Sequence, residues 1–319
     1  MKVLFTSNAF SDKDVSFLKT KGIEIVSASG DLGEDALIEH LQECHGYIIG
    51  GADKATEKVI KSSNLEFINF YGTGWENYVD IKAANDKEIV VANTPKANAY
   101  TVAEFTIALI LDAVKKVTYL NNTTKDSQWL RRKAWNLENR TAGIFGMGTI
   151  GGYVARILHN GFGMKIIYVS KTSKNDLEKE LDAKKVDIDE LFKRSDVVTI
   201  HATINEETRG IIGKKELYLM KPHAVLINAA RAEIVDPDSL KEALLNSKFA
   251  TAAFDSYYIE PVPPKKDDRY GLLSLPDNKF IITPHTAYGS EEAVENMNKM
   301  LIEDLLAFID GKDVPYRVN

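Results

Sequence analysis

Cysteine is nearly absent: Cys44 is the only one in 319 residues. A lone thiol cannot close an intramolecular disulfide, and it cannot build a zinc site of the clustered-cysteine kind. The expectation is a reducing, cytoplasmic setting and no bound metal. Positive charge is not in excess either. Lys and Arg number 40 against 46 Asp and Glu, a net charge of −6. Phosphate backbones are held by basic faces, so nucleic acid is not an expected partner. Long apolar runs are missing. The most apolar helix-like stretch, Phe105 to Val114, is interrupted by Thr106 and Asp112 and falls short of the roughly 20 apolar residues of a membrane span. The opening Met1–Phe5 turns polar at Ser7 and Asn8, too soon for a secretory apolar core. No internal repeat or low-complexity tract occurs, and the one proline-rich patch is Glu260–Pro264.

What is present is an ordinary globular composition, 44% hydrophobic and 27% charged, in a chain of two-domain length. Short apolar runs at Val3–Phe5, Ile23–Val26, Tyr47–Ile49, Phe67–Phe70 and Ile89–Val91 alternate with helical patterns near Asp14–Lys21, Glu34–Glu43 and Ala55–Ser62. Such alternation predicts βαβ units on a parallel sheet. A long amphipathic helix is expected over Thr101–Lys116, with Val102, Phe105, Leu109 and Ala113 at helical spacing. A polar segment, Asn121–Arg140, follows it. A second βα series then begins at Thr141–Phe145, with strands expected at Ile166–Val169, Val197–His201, Ala224–Asn228, Ala250–Phe254 and Phe280–Thr283. Glu291–Asp310 reads as a closing helix stopped by Gly311. Two series mean two doubly wound α/β domains, whose ligands bind beyond the carboxyl ends of the strands. The chemistry is expected in the crevice between them.

Gly146-Met147-Gly148-Thr149-Ile150-Gly151 lies between an apolar strand and a helical pattern, which lifts a weak motif to a strong one. The first glycine permits the tight turn, the second lets the backbone approach a pyrophosphate, and the third lets the helix pack close. The helix N-terminus offers its free N–H groups to the anion. An NAD site would carry an acid about 20 residues further on. That place is held by Ser170, in Ser170-Lys171-Thr172-Ser173-Lys174. Hydroxyls and lysines attract a 2′-phosphate, and two exposed charge-assisted bonds favour NADP(H) over NAD(H) by ~2–4 kcal/mol.

Three later segments place polar groups just past apolar strands: Asn228-Ala229-Ala230-Arg231, Asp255 through Glu260-Pro261, and Thr283-Pro284-His285. With the glycine turn, Tyr71-Gly72-Thr73-Gly74-Trp75-Glu76-Asn77 and Val102-Ala103-Glu104, the chain resembles the D-isomer-specific 2-hydroxyacid dehydrogenase family over nearly its whole length. The resemblance implies a Rossmann cofactor domain, residues 99–287, inserted into a flavodoxin-like substrate domain, residues 1–98 and 288–319. It implies reduction of a small 2-keto acid to the D-2-hydroxy acid by NADP(H), with NAD(H) possible. Glyoxylate and hydroxypyruvate are the leading substrates.

That chemistry suits the residues. Arg231 grips the substrate carboxylate through two parallel bonds. His285 delivers the proton, and Glu260 orients the imidazole and favours its charged form. Backbone N–H groups of Gly72, Thr73 and Gly74 form an anion nest, with Tyr71 beside them in the substrate site. The resemblance places Asp255 at the nicotinamide carboxamide, His201, Ala202, Thr203 and Thr208 along the cofactor, and Thr101 and Ala229 beside it. It also implies a homodimer formed by the Thr101–Lys116 helix. His40, His45, His159 and His223 match no catalytic position and are expected at the surface. Thr203 stands where the family usually has proline, Ala232 follows the arginine where glycine is usual, and His223 replaces the glycine that commonly follows Pro222. A D-3-phosphoglycerate dehydrogenase is the runner-up, disfavoured mildly because no regulatory domain follows Asn319. A non-enzymatic, corepressor-like dinucleotide sensor is the alternative of another class. Ser170 in place of an acid, and the absence of a basic tail, speak against it.

Overall fold

The computed structural model describes residues 1–7 and 9–319. It falls into two units, Met1–Asn98 with Gly289–Asn319, and Ala99–Tyr288.

In the first unit the short apolar runs form five strands: β1 (Lys2–Phe5), β2 (Glu24–Ser27), β3 (Gly46–Ile49), β4 (Phe67–Phe70) and β5 (Val90–Asn93). All pair in parallel, in the order β2-β1-β3-β4-β5, the flavodoxin-like arrangement. A parallel sheet is covered on both faces, so its strands read as continuous apolar runs. Leu4, Tyr47, Ile49, Ile68 and Val91 pack on one side, and Val3, Phe5, Ile48, Phe67 and Ala92 on the other. The second face is closed by the helix Glu291–Ile309, whose N-cap is Ser290. Its Ala293, Met297, Leu301 and Leu305 are buried against those strands, each large side chain contributing ~1.5–3 kcal/mol. Gly311, at φ 65°, ends it as the sequence suggested.

The second unit holds β6 (Thr141–Phe145), β7 (Lys165–Val169), β8 (Lys184–Lys185), β9 (Val197–Ile200), β10 (Val225–Asn228), β11 (Thr251–Phe254) and β12 (Phe280–Ile282). Their order is β12-β11-β10-β9-β6-β7-β8, and every pairing is parallel. This is the dinucleotide-binding order, with the reversal between β9 and β6. Alternate residues go to opposite faces. Ile144, Val225, Ile227 and Ala253 join the helices Ala99–Lys115 and Thr149–Phe162. Phe145, Val198, Leu226 and Phe254 join the other core, with Leu191, Leu217 and Leu240 from the helices on that side.

Two elements depart from the expectation. The polar stretch after the long helix is partly helical, Val117–Lys125, with no buried residue. The strand β8 consists of two exposed lysines. Neither carries an apolar pattern, because neither buries anything. His159 and His223 are also less exposed than expected. His159 Nδ1 lies 3.1 Å from the Met164 carbonyl, and His223 Nε2 lies 2.7 Å from Asp196. Among the described residues no helix is long and apolar enough to cross a membrane, and no group of three His, Cys, Asp or Glu side chains is placed to hold a metal ion.

Candidate active site

Strand β6 runs into Gly146, whose φ of +102° only glycine adopts readily. A Cβ there would overlap the backbone of His201 and Ala202, and one on Gly151 would overlap the Gly146 carbonyl. A Cβ on Gly148 would meet nothing within 4 Å. The first and third glycines are thus needed for packing, while the second keeps open the space a ligand's phosphates require. Gly148 is the N-cap of the helix Thr149–Phe162 and has no side-chain cap, so the first-turn N–H groups have no side-chain acceptor. Met147 is buried and Ile150 packs on the core. These residues fit a dinucleotide pyrophosphate.

Beyond β7 the turn of Ser170, Lys171, Thr172, Ser173 and Lys174 carries its cations on one short stretch. Lys174 N donates to Tyr168 Oη at 2.9 Å. Lys171 is not free: its Nζ lies 2.6 Å from Glu207 Oε2. Lys185, on β8, donates from Nζ to the Lys171 carbonyl at 3.3 Å. Neither Glu207 nor Lys185 was singled out by motif. Their partnership with the turn depends on sheet order, which motif spacing does not carry.

After β9, His201 Nε2 lies 2.8 Å from Thr199 Oγ1, and its Nδ1 is buried without a partner. Burial pushes the imidazole down to about 3, so the ring is neutral at working pH. Thr208 Oγ1 donates to the Thr203 carbonyl at 2.7 Å, shaping the loop that follows Ala202. Thr101 lies in the first turn of the helix Ala99–Lys115.

The catalytic candidates converge within this second unit. His285 Nδ1 lies 2.9 Å from Glu260 Oε2, and Arg231 Nη1 lies 3.3 Å from His285 Nε2. A guanidinium only donates, so Nε2 accepts and Nδ1 carries the ring proton, given to the carboxylate. Burial pushes the Glu260 carboxyl upward. Hydrogen bonding and charge from His285, the Tyr257 N–H and the Arg231 charge outweigh it, and the net shift is down. Glu260 is fixed through its other oxygen, which accepts from Tyr257 N at 3.0 Å. Arg231 is fixed by Asn228. Its Nδ2 donates to the Arg231 carbonyl at 2.9 Å and its Oδ1 accepts from Ala230 N at 3.0 Å, on the side of Ala229. Asn228 escaped the sequence reading because its amide does no chemistry of its own.

Asp255, 2% exposed, accepts from Thr283 Oγ1 at 2.6 Å, Thr286 N at 3.1 Å and Ala287 N at 2.8 Å. Its oxygens therefore hold both flanks of His285, which sits at φ 51°.

The remaining candidates belong to the first unit. Gly72 N donates to the Phe70 carbonyl at 2.8 Å, so that N–H leaves the expected nest. Tyr71 N is likewise taken, by the Ile49 carbonyl at 2.9 Å. The first is a tight turn at the end of β4 and the second continues the ladder to β3, so of the expected nest the N–H groups of Thr73 and Gly74 remain. The loop is locked by the segment after β5: Asn93 Nδ2 donates to the Thr73 carbonyl at 2.9 Å and Thr94 N to the Gly72 carbonyl at 3.0 Å.

Comparison with known proteins agrees with this geometry. Residues 107–287 match the family model for the D-isomer specific 2-hydroxyacid dehydrogenase, NAD binding domain. A glyoxylate reductase of Korarchaeum cryptofilum is 34% identical over 292 residues, covering 89% of this chain and 85% of that one. A D-3-phosphoglycerate dehydrogenase of Archaeoglobus fulgidus is 34% identical over 322 residues; the match covers 100% of this chain and 59% of that longer protein. The solved structure of an acyclic imino acid reductase in complex with NADPH and D-Arg superposes with a TM-score of 0.85 at 26% identity, covering 100% of both chains. The chain belongs to the D-isomer specific 2-hydroxyacid dehydrogenase family. It is a D-2-hydroxyacid dehydrogenase that uses a nicotinamide dinucleotide.

Proposed function

We propose that this enzyme reduces a small 2-keto acid to the D-2-hydroxy acid, with NADPH preferred over NADH and with glyoxylate or hydroxypyruvate as substrate. The observation that carries the reading is the Glu260–His285–Arg231 constellation, with 2.9 and 3.3 Å between its members. The dinucleotide, held by the Gly146–Gly151 turn, supplies the hydride. Arg231 turns from the imidazole to the substrate carboxylate, which releases Nε2 of His285 to carry a proton to the carbonyl oxygen. Glu260 keeps the other ring nitrogen protonated and offsets the charge of the imidazolium. The N–H groups of Thr73 and Gly74 form an anion nest in the first unit, 1–98 with the C-terminal segment, which is the substrate domain. Asp255 and Thr101 border the nicotinamide. Ser170 where an acid would stand supports the NADPH preference.

The chain crosses twice between its units, at 98/99 and 288/289, which suits closure on cofactor binding. Small-angle scattering with and without NADPH tests this, and equal radii count against it. A homodimer in a reducing, cytoplasmic compartment completes the reading. Trp129, 79% exposed, and the Val117–Lys125 helix without buried residues favour a second copy there. The Thr101–Lys116 region spends most of its apolar positions on its own unit. Light scattering on a sizing column decides the oligomeric state.

The decisive assay is absorbance at 340 nm with NADPH or NADH against glyoxylate, hydroxypyruvate, pyruvate and a bulkier 2-keto acid. Turnover with NADPH well above NADH supports the reading, and the best substrate names the activity. Turnover with NADH alone removes the 2′-phosphate argument.

A further inference from the structure

The sheet order sets β6 between β9 and β7. The glycine turn at the end of β6 is therefore flanked by the Ser170–Lys174 turn beyond β7 and by the Asn205–Thr208 loop beyond β9. The two flanking strands are two spacings apart, about 10 Å. One ion pair joins these flanks, Lys171 Nζ to Glu207 Oε2 at 2.6 Å. Glu207 is presented by a fixed backbone. Its N–H and that of Thr208 both donate to Asn205 Oδ1, each at 3.0 Å, and Asn205 N donates to Thr208 Oγ1 at 2.8 Å. On the other flank Lys185 Nζ reaches the Lys171 carbonyl at 3.3 Å, which brings a third ammonium to the turn beside those of Lys171 and Lys174.

We infer that Glu207 sets the choice between the two dinucleotides. This rests on the reading of the glycine turn as the dinucleotide site. The carboxylate missing from the end of β7 is supplied from the neighbouring loop instead. It offers an acceptor to a ribose 2′-hydroxyl. Against a 2′-phosphate it acts in the opposite sense, because the phosphate must take Lys171 from it and then sits near a like charge. Among the described residues neither Lys174 nor Lys185 pairs with a carboxylate, and Lys185, held at the turn through the Lys171 carbonyl, reinforces the phosphate. The chain thus carries a balanced pair of determinants, and its discrimination between cofactors is smaller than three lysines alone would give.

The test is calorimetric titration of the full chain with adenosine 2′,5′-bisphosphate and with AMP, for the native protein, Glu207→Gln and Lys185→Ala. Both side chains are exposed, and an exposed ion pair contributes little to folding, so both variants keep the fold. Glu207→Gln is expected to tighten the bisphosphate at least fivefold without tightening AMP. Lys185→Ala is expected to weaken the bisphosphate at least threefold and leave AMP unchanged. The KM ratio for NADH over NADPH moves in step. Equal shifts of both ligands in Glu207→Gln, or no shift of either, overturn the inference. A native protein that binds AMP as tightly as the bisphosphate removes the NADPH preference proposed above, yet the direction of the Glu207→Gln shift still tests Glu207. Failure of both ligands to bind overturns the dinucleotide site and this inference with it.

Discussion

His285 is held in a left-handed backbone conformation, φ 51°, that costs a non-glycine residue on the order of 1 kcal/mol. The cost is sustained because the Asp255 carboxylate binds the Thr283 hydroxyl and the Thr286 and Ala287 N–H groups around it. Replacing His285 by Asn is expected to lower kcat by about 10²–10⁴, the usual worth of a positioned acid–base group, with dinucleotide binding retained. Glu260→Gln replaces the carboxylate that holds Nδ1 of His285 at 2.9 Å by a neutral amide, so kcat should fall by more than KM is raised. An unchanged kcat would assign Glu260 to the turn and not to the proton path. These three residues were legible because Arg, Glu and His just past apolar strands carry their chemistry in their side chains. Asn228 and the tether role of Asp255 were not: the Asn228 amide only braces the backbone of the neighbouring Ala230 and Arg231, and the partners of Asp255 lie about thirty residues further along the chain.

Elements were legible where they bury something. Helix starts that rest on caps are not carried by the apolar pattern: Ser11 with Asp14 forms a capping box, and Asp236 caps a helix that opens on Pro237. Strand β8 gave no signal: two exposed lysines on a sheet edge satisfy hydrogen bonds without contributing to a core. The glycine turn allows the element's two duties to be separated. Gly148→Ala places its methyl in open space, so melting temperature should stay within about 2 °C while dinucleotide affinity falls at least tenfold. Gly151→Ala drives a methyl into the Gly146 carbonyl and should destabilise the second unit by ~1–3 kcal/mol, the usual cost of overpacking. Thermal melts and cofactor titrations of the pair distinguish the roles, and equal melting losses in both variants would contradict them.

At the scale of the molecule, the two units carry buried titratable groups that oppose each other. Burial pushes the Asp304 carboxyl in the first unit up from 3.8 to about 7, against the lowering effect of the Tyr316 N–H and the Asn69 amide. The folded state then holds its proton more tightly than the unfolded chain. Stability of that unit is full below about pH 4 and falls as pH rises to about 7, by at most on the order of 4 kcal/mol. His201 in the second unit is pushed down from 6.5 to about 3 by burial. Its contribution is full above about pH 6.5 and is lost as pH falls towards 3. Calorimetry at pH 7 and pH 5 should therefore show one transition rising and the other falling on acidification. Asp304→Asn should abolish the rise and stabilise the first unit at pH 8. Asn69 Oδ1, buried without a partner, is available to accept from the new amide once the Asn69 side chain rotates. The two-sheet architecture was legible from the alternation of strands and helices. These buried groups were not, because an Asp on a helix reads as solvent-facing until its neighbours are known. The interruption of the first unit by the second also bears on synthesis. The Ala99–Tyr288 unit is one continuous stretch, whereas the other needs Ala293, Met297, Leu301 and Leu305 to close a core begun at Val3 and Phe5. At roughly 5–20 residues per second, the nascent β1–β5 sheet waits on the order of 10–40 s on the ribosome with one apolar face uncovered, so the part of the chain translated first is the last to be completed.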